Sequence, residues 1–144
     1  MSAHSIRLHG PWSLLEIRGS VEATCRQATT ETPVASMTRF RMDEAACALA
    51  TSVDGSASLL LVRPFRQPTG LTETCRLRLK LQSANNIGEV WLNGQRLTVS
   101  TTENTTYAVD TPLAMQNRLG VVMSEVSVDA PLLNSVSLII EDRA

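Results

Sequence analysis

Aromatic side chains are scarce in this chain: Trp12, Phe40, Phe65, Trp91 and Tyr107 are all it has. Stacking platforms for sugars or bases need exposed rings, and a core claims some of these five, so a broad platform is excluded. Lysine is scarcer still. Lys80 is the single lysine beside twelve scattered arginines, and the net charge is −1. No field of one sign draws in a nucleic acid or an anionic membrane. The three cysteines, Cys25, Cys47 and Cys75, are far apart and odd in number. Without a CxxC or Cys/His spacing, no zinc site is expected. No stretch approaches the ~18 apolar residues of a membrane span. Met1-Ser2-Ala3-His4-Ser5 lacks a basic start before an apolar run, so no signal peptide is expected. The expected protein is cytoplasmic, with reduced thiols.

Catalytic constellations are also lacking. The two histidines, His4 and His9, have no partner at a suitable spacing. The fourteen acids are dispersed, and Asp43-Glu44 reads as a helix start. No serine lies in a G-x-S-x-G elbow, and no Gly-x-Gly phosphate loop is present. Cys47 falls inside an alanine-rich helical window without a cationic neighbour, which suits a buried small hydrophobe. Asn104-Thr105-Thr106 matches a glycosylation acceptor by chance in a chain read as cytoplasmic. No catalytic residue, cofactor or metal site is expected.

What is present is strand. The 144 residues fit one domain, 1–144, with 43% hydrophobic and 19% charged residues. Cys75, Leu77, Leu79 and Leu81 alternate with Arg76, Arg78, Lys80 and Gln82, the cleanest period of two in the chain. Val90 and Leu92 alternate with Glu89, Trp91 and Asn93, and Asn93-Gly94 supplies a tight hairpin turn. The apolar run 57–65 predicts a strand covered on both faces. Further strands are predicted over 6–17 with a Gly10-Pro11 break, and over 21–25, 34–42, 97–99, 107–109, 118–123 and 136–141. Residues 27–33 and 100–106 read as loops, and 83–88 as a turn. Asp43–Ala50 is the one convincing helix, and Leu113-Ala114-Met115 predicts a single helical turn. Many short strands with turn chemistry between them mean an all-β antiparallel sandwich or barrel.

The order of short motifs narrows this. Gly10-Pro11-Trp12, then Arg63-Pro64-Phe65-Arg66-Gln67-Pro68, Val90-Trp91-Leu92-Asn93-Gly94, Tyr107-Ala108-Val109-Asp110, Asn117-Arg118-Leu119 and Val136–Ile140 follow one another. The series resembles the galactose-binding-like jelly roll, above all the N-terminal sugar-binding domain of family-2 glycoside hydrolases. The resemblance covers most of the chain and implies a jelly-roll β-sandwich with one or two short helices. It implies neither catalysis nor sugar binding. In those hydrolases the active-site acids lie mainly in a separate barrel domain, so a catalytic role is not expected of residues 1–144. Residues 98–106 are Ser/Thr/Asn/Glu where the family carries an aromatic-rich loop. Such jelly rolls often hold a structural calcium, but no dense oxygen cluster is visible here.

One surface has a claim to ligand binding. If Leu77, Leu79 and Leu81 face the core, Arg76, Arg78 and Lys80 form a basic row outside. If Val90 and Leu92 also point inward, Trp91 lies outward and can stack on an arginine of that row from a neighbouring strand. Trp91, Arg76, Arg78 and Tyr107 are therefore the candidate ligand-binding residues. The competing reading makes the basic row a solvated face, or reverses the phase and puts Trp91 in the core. The expected function is a non-catalytic binding module, with a carbohydrate as the ligand. The alternative is a structural or interaction domain without a sugar site, which self-associates as a homo-oligomer or docks a protein partner.

Overall fold

The computed structural model describes residues 3–8, 12–17, 19–30, 38–40, 58–72, 74–83, 87–98, 106–110, 112–123 and 133–142. Ten strands and one helix occur among them: β1 Ala3–Arg7, β2 Trp12–Glu16, α1 Val21–Thr30, β3 Thr38–Phe40, β4 Leu59–Arg66, β5 Cys75–Gln82, β6 Ile87–Leu92, β7 Gln95–Arg96, β8 Thr106–Val109, β9 Gln116–Met123 and β10 Ser135–Asp142. They form a four-stranded sheet, β1-β10-β5-β8, and a six-stranded sheet, β3-β2-β4-β9-β6-β7. All the pairings are antiparallel.

The core lies between the sheets. Leu59, Leu61, Phe65, Val90, Leu92, Leu119, Val121 and Met123 come from the larger sheet. They meet Leu79, Leu81, Tyr107, Val136, Leu138 and Ile140 of the smaller one. Trp12 is fully buried among them and donates its indole N–H to the Leu8 carbonyl at 3.3 Å. The leucines of β5 thus face inward, as their period of two predicts.

The other face of the six-stranded sheet carries a second, smaller core under α1. Leu60, Val62, Trp91 and Val122 pack there against Cys25 and Ala28 of the helix. This explains the unbroken apolar run of β4: odd positions fill the sandwich, and even ones support the helix. The helix comes close because β9 has Gly120 beneath it. A Cβ at that position would stand 2.8 Å from Thr29 Cγ2.

The helix corrects the reading of 21–25 as a strand and of 27–30 as loop. Val21 and Cys25, four apart, fit a period of two and a period of 3.6 equally over so short a window. The start signal lies one residue earlier. Ser20 caps the helix, with its Oγ accepting from the Ala23 N–H at 3.2 Å, and Glu22 in the first turn bonds Arg26 at 2.9 Å. Three threonines and a half-polar sequence make α1 a weak helix by propensity. Its stability comes from packing Val21, Cys25 and Ala28 on the sheet.

Two smaller corrections follow. Residues 113–115 form no helical turn, because the Asn117 side chain holds both backbone groups of Ala114. β6 begins at Ile87, with a register shift between Ile87 and Glu89, where a turn is expected. The helix expected at Asp43–Ala50, with Cys47, lies outside the described residues, as do Gly10-Pro11 and His9.

Candidate polar groove at the Asn-Gly turn

β6 ends in a two-residue turn with both central residues left-handed, Asn93 at φ 49° and Gly94 at φ 84°. Asparagine and glycine tolerate this conformation best, and it suits the twist of a hairpin. The turn is pinned from two sides. Asn93 and Arg118 of β9 exchange bonds: the Asn93 N–H donates to the Arg118 carbonyl at 3.1 Å, and the Arg118 N–H to Asn93 Oδ1 at 2.9 Å. The Asn93 Nδ2 donates to Asn117 Oδ1 at 2.8 Å. From the helix side, Thr29 Oγ1 accepts the Gly94 N–H at 2.8 Å while donating to the Cys25 carbonyl at 2.7 Å.

Asn117 is the centre of this network and is buried. Its Oδ1 also accepts the Ala114 N–H, and its Nδ2 donates to the Ala114 carbonyl, both at 2.9 Å. A buried amide at the start of an apolar strand is satisfied in this way on both ends.

The turn, the end of α1 and the start of β9 enclose a groove of about 570 Å³. That is within the range of small-ligand sites. Its polar wall is Asn93, Gln95, Gln116, Asn117 and Arg118, joined by Thr30 at the end of the helix. Arg118 has a buried Nη1 without a hydrogen-bond partner. Neither a carboxylate nor a histidine is among the described residues lining the groove.

The residues singled out in the sequence do not converge on this groove or on each other. Trp91 does point away from Val90 and Leu92, as its phase predicts, but α1 covers it and leaves it 3% exposed. Its indole N–H donates to Glu89 Oε1 at 3.3 Å, and the Arg26 guanidinium stands 5.8 Å from the ring centroid. The cation on the ring is thus Arg26 of the helix, not an arginine of β5. β5 belongs to the four-stranded sheet and β6 to the six-stranded one, so the expected Arg/Trp surface does not form. Arg76 is exposed on β5, and Arg78 is engaged with Glu141 of β10. Tyr107 is buried opposite Leu79, and burial pushes its phenol up, against a smaller lowering by Arg96.

Nor does a thiol offer chemistry. Burial, with a lesser contribution from Glu89, pushes the Cys25 pKa up to about 12, so it stays a neutral thiol. Among the described residues no group of three His, Cys, Asp or Glu side chains could hold a metal ion. The groove residues Gln95, Gln116 and Arg118 carry no signal of their own in the sequence. They flank Asn93-Gly94 and Asn117, and only the pairing of β6 with β9 brings them together.

No protein-family model and no curated protein matches the sequence. Solved structures match in fold. A β-glucuronidase from an uncultured Clostridium sp. aligns with a TM-score of 0.73 at 16% identity, over 98% of this chain and 29% of that one. The Faecalibacterium prausnitzii β-glucuronidase gives 0.72 at 11% identity, over 98% of this chain and 32% of that one. The Bifidobacterium dentium β-glucuronidase complexed with coumarin-3-O-glucuronide gives 0.70 at 14% identity, over 98% of this chain and 30% of that one. The chain therefore spans 29 to 32% of these three enzymes, and it resembles one part of them. At such identities the likeness is one of fold. The chain is an all-β sandwich with the galactose-binding-like jelly-roll fold, similar to the N-terminal domain of family-2 glycoside hydrolases.

Proposed function

We propose that this chain is a non-catalytic binding module that takes a carbohydrate in the groove beside Asn93-Gly94. The observation behind this is the groove's wall, where Gln95, Gln116 and Arg118 supply amide and guanidinium groups around about 570 Å³. The amides both donate to and accept from the hydroxyls of a sugar ring, and the guanidinium donates to them. Canonical glycosidic hydrolysis needs two carboxylates facing the bond, and the described lining residues include none. The groove therefore suits recognition better than reaction.

Cytoplasmic residence is part of this reading, since Cys25 and Cys75 are free thiols. No described helix is long and apolar enough to cross a membrane. The alternative of a self-associating or docking face has less behind it. Among the described residues only Ile6 and Met115 are large, apolar and exposed.

Calorimetric titration of the full chain with glucose, galactose, glucuronate and their methyl glycosides tests the proposal. One of these should bind with a Kd of about 1 mM or better, and Gln95→Ala should weaken it at least about fivefold with the fold intact. Saturable binding that Gln95→Ala leaves unchanged, or none by any of the sugars, refutes the groove as a carbohydrate site.

A further inference from the structure

Among the described residues nothing like α1 covers the outer face of the four-stranded sheet. Strand phase and register fix what that face presents. Leu77, Leu79 and Leu81 point into the sandwich, so Arg76, Arg78 and Lys80 of β5 point out. On β10, Val136, Leu138 and Ile140 point in, and Ser135, Ser137, Ile139 and Glu141 point out. Arg7 of β1 pairs with Ser137, and Ser137 with Lys80, so Arg7 belongs to the same face. Two cations thus flank one short serine, with their Cα atoms two strand spacings or about 10 Å apart. Arg7, Arg76 and Lys80 are exposed, and their side chains have no hydrogen-bond or ion-pair partner among the described residues. The neighbouring acids are Glu141, which takes Arg78, and Asp110 just past β8, which joins no ion pair. Arg78 Nε is still without an acceptor. Positive charge is therefore gathered on this face of a chain whose net charge is −1.

We propose that this face docks an extended acidic segment of a protein partner. Outward residues of one strand repeat about every 7 Å. An extended segment with an acid at every second position has the same repeat, so its carboxylates stay in step with Arg76, Arg78 and Lys80. The segment lies over β10, where the short Ser135 and Ser137 let its backbone approach, and Arg7 closes the far side. Planar guanidinium forks match carboxylates in two-point geometry. A single-stranded nucleic acid is a poorer fit. The basic row ends after three outward residues of β5, and Tyr107, the one aromatic on the described strands of this sheet, is buried and offers no ring to a base. This docking is polar and makes no use of Ile6 or Met115. It is also separate from the carbohydrate groove, which belongs to the six-stranded sheet.

The test uses the full chain and a fluorescein-labelled octapeptide that alternates glutamate and serine. Fluorescence anisotropy at about 50 mM salt should give saturable binding with a Kd of about 100 μM, weakened at least about threefold at about 500 mM salt. A peptide alternating glutamine and serine should bind at least about tenfold more weakly, and one with its four glutamates in a single block at least about threefold more weakly. Arg7→Gln, Arg76→Gln and Lys80→Gln, all at exposed positions, should each weaken the alternating acidic peptide at least about threefold without moving the thermal midpoint. Gln95→Ala in the polar groove should leave peptide affinity unchanged, so this face and the carbohydrate groove can fail independently. Equal affinity for the glutamate and glutamine peptides would overturn the proposal. So would equal affinity for the alternating and block peptides, full affinity in all three variants, tighter binding of a single-stranded oligonucleotide of the same charge, or no binding of the acidic peptide at about 1 mM.

Discussion

Replacing Asn117 by Ala should destabilise the protein by about 3 kcal/mol while leaving its strands in place. The figure comes from three bonds of ordinary length. One accepts from Asn93 Nδ2 at 2.8 Å, and two tie Ala114 at 2.9 Å each. A fourth, to the Phe65 carbonyl at 3.5 Å, is too long to add much. Each ordinary bond is worth about 1 kcal/mol net. Ala114 is exposed, so water recovers its backbone groups, and no large further penalty for unsatisfied groups is expected. For a chain of 144 residues this lowers the thermal midpoint by roughly 9 °C. Circular dichroism melting and urea unfolding both measure it. In a double-mutant cycle, Asn93→Ala and Asn117→Ala should couple by about 1 kcal/mol. Asn117→Asp adds a sign. The carboxylate still accepts from Asn93 and Ala114 but no longer donates to the Ala114 carbonyl, and burial raises its folded pKa above the unfolded value of about 4. Its deficit should be smallest below about pH 4 and grow as pH rises through the folded pKa. A loss under about 1 kcal/mol in Asn117→Ala, or no coupling to Asn93, would refute the network as the support of the turn.

Two further outcomes follow from the region under α1. Cys25, with its pKa pushed up to about 12, should resist iodoacetamide at pH 8 while half-exposed Cys75 reacts, as peptide mass spectrometry would show. Because the folded value lies above the ordinary 9.0, its contribution to stability holds below about pH 9 and fades as pH climbs towards 12. Cys25→Ala should flatten that part of the stability profile. Gly120→Ala places a Cβ 2.8 Å from Thr29 Cγ2 and 3.2 Å from Leu60 Cδ1, which should cost about 1–3 kcal/mol and red-shift tryptophan fluorescence as α1 lifts from Trp91. Gly88→Ala meets only the Val122 carbonyl at 3.5 Å and should show no red shift.

Much of the sandwich was legible in the sequence. β5 shows its period of two because one face meets the core and the other meets solvent. β4 reads as a strand covered twice, although the sequence does not say what covers the second face. The answer is α1, the element that was misread. Its Ser20 cap and Val21, Cys25 and Ala28 are a weak helical signal that becomes decisive only against Leu60, Val62 and Trp91. The same omission affected Trp91. Its direction followed from strand phase, but its burial depended on a helix the pattern did not announce. The Asn93-Gly94 turn was legible as backbone chemistry, and its left-handed angles agree. The groove was not, because Gln95, Gln116 and Arg118 meet only through the β6–β9 pairing.

The most direct test of the central claim is a nitrogen–proton NMR titration of the full chain with the same sugars. The account predicts saturable shifts at the amides of Gln95, Gln116 and Arg118, with the exposed β5 positions Arg76 and Lys80 unmoved. Shifts confined to the β5 face, or none at sugar concentrations about tenfold above 1 mM, would contradict it.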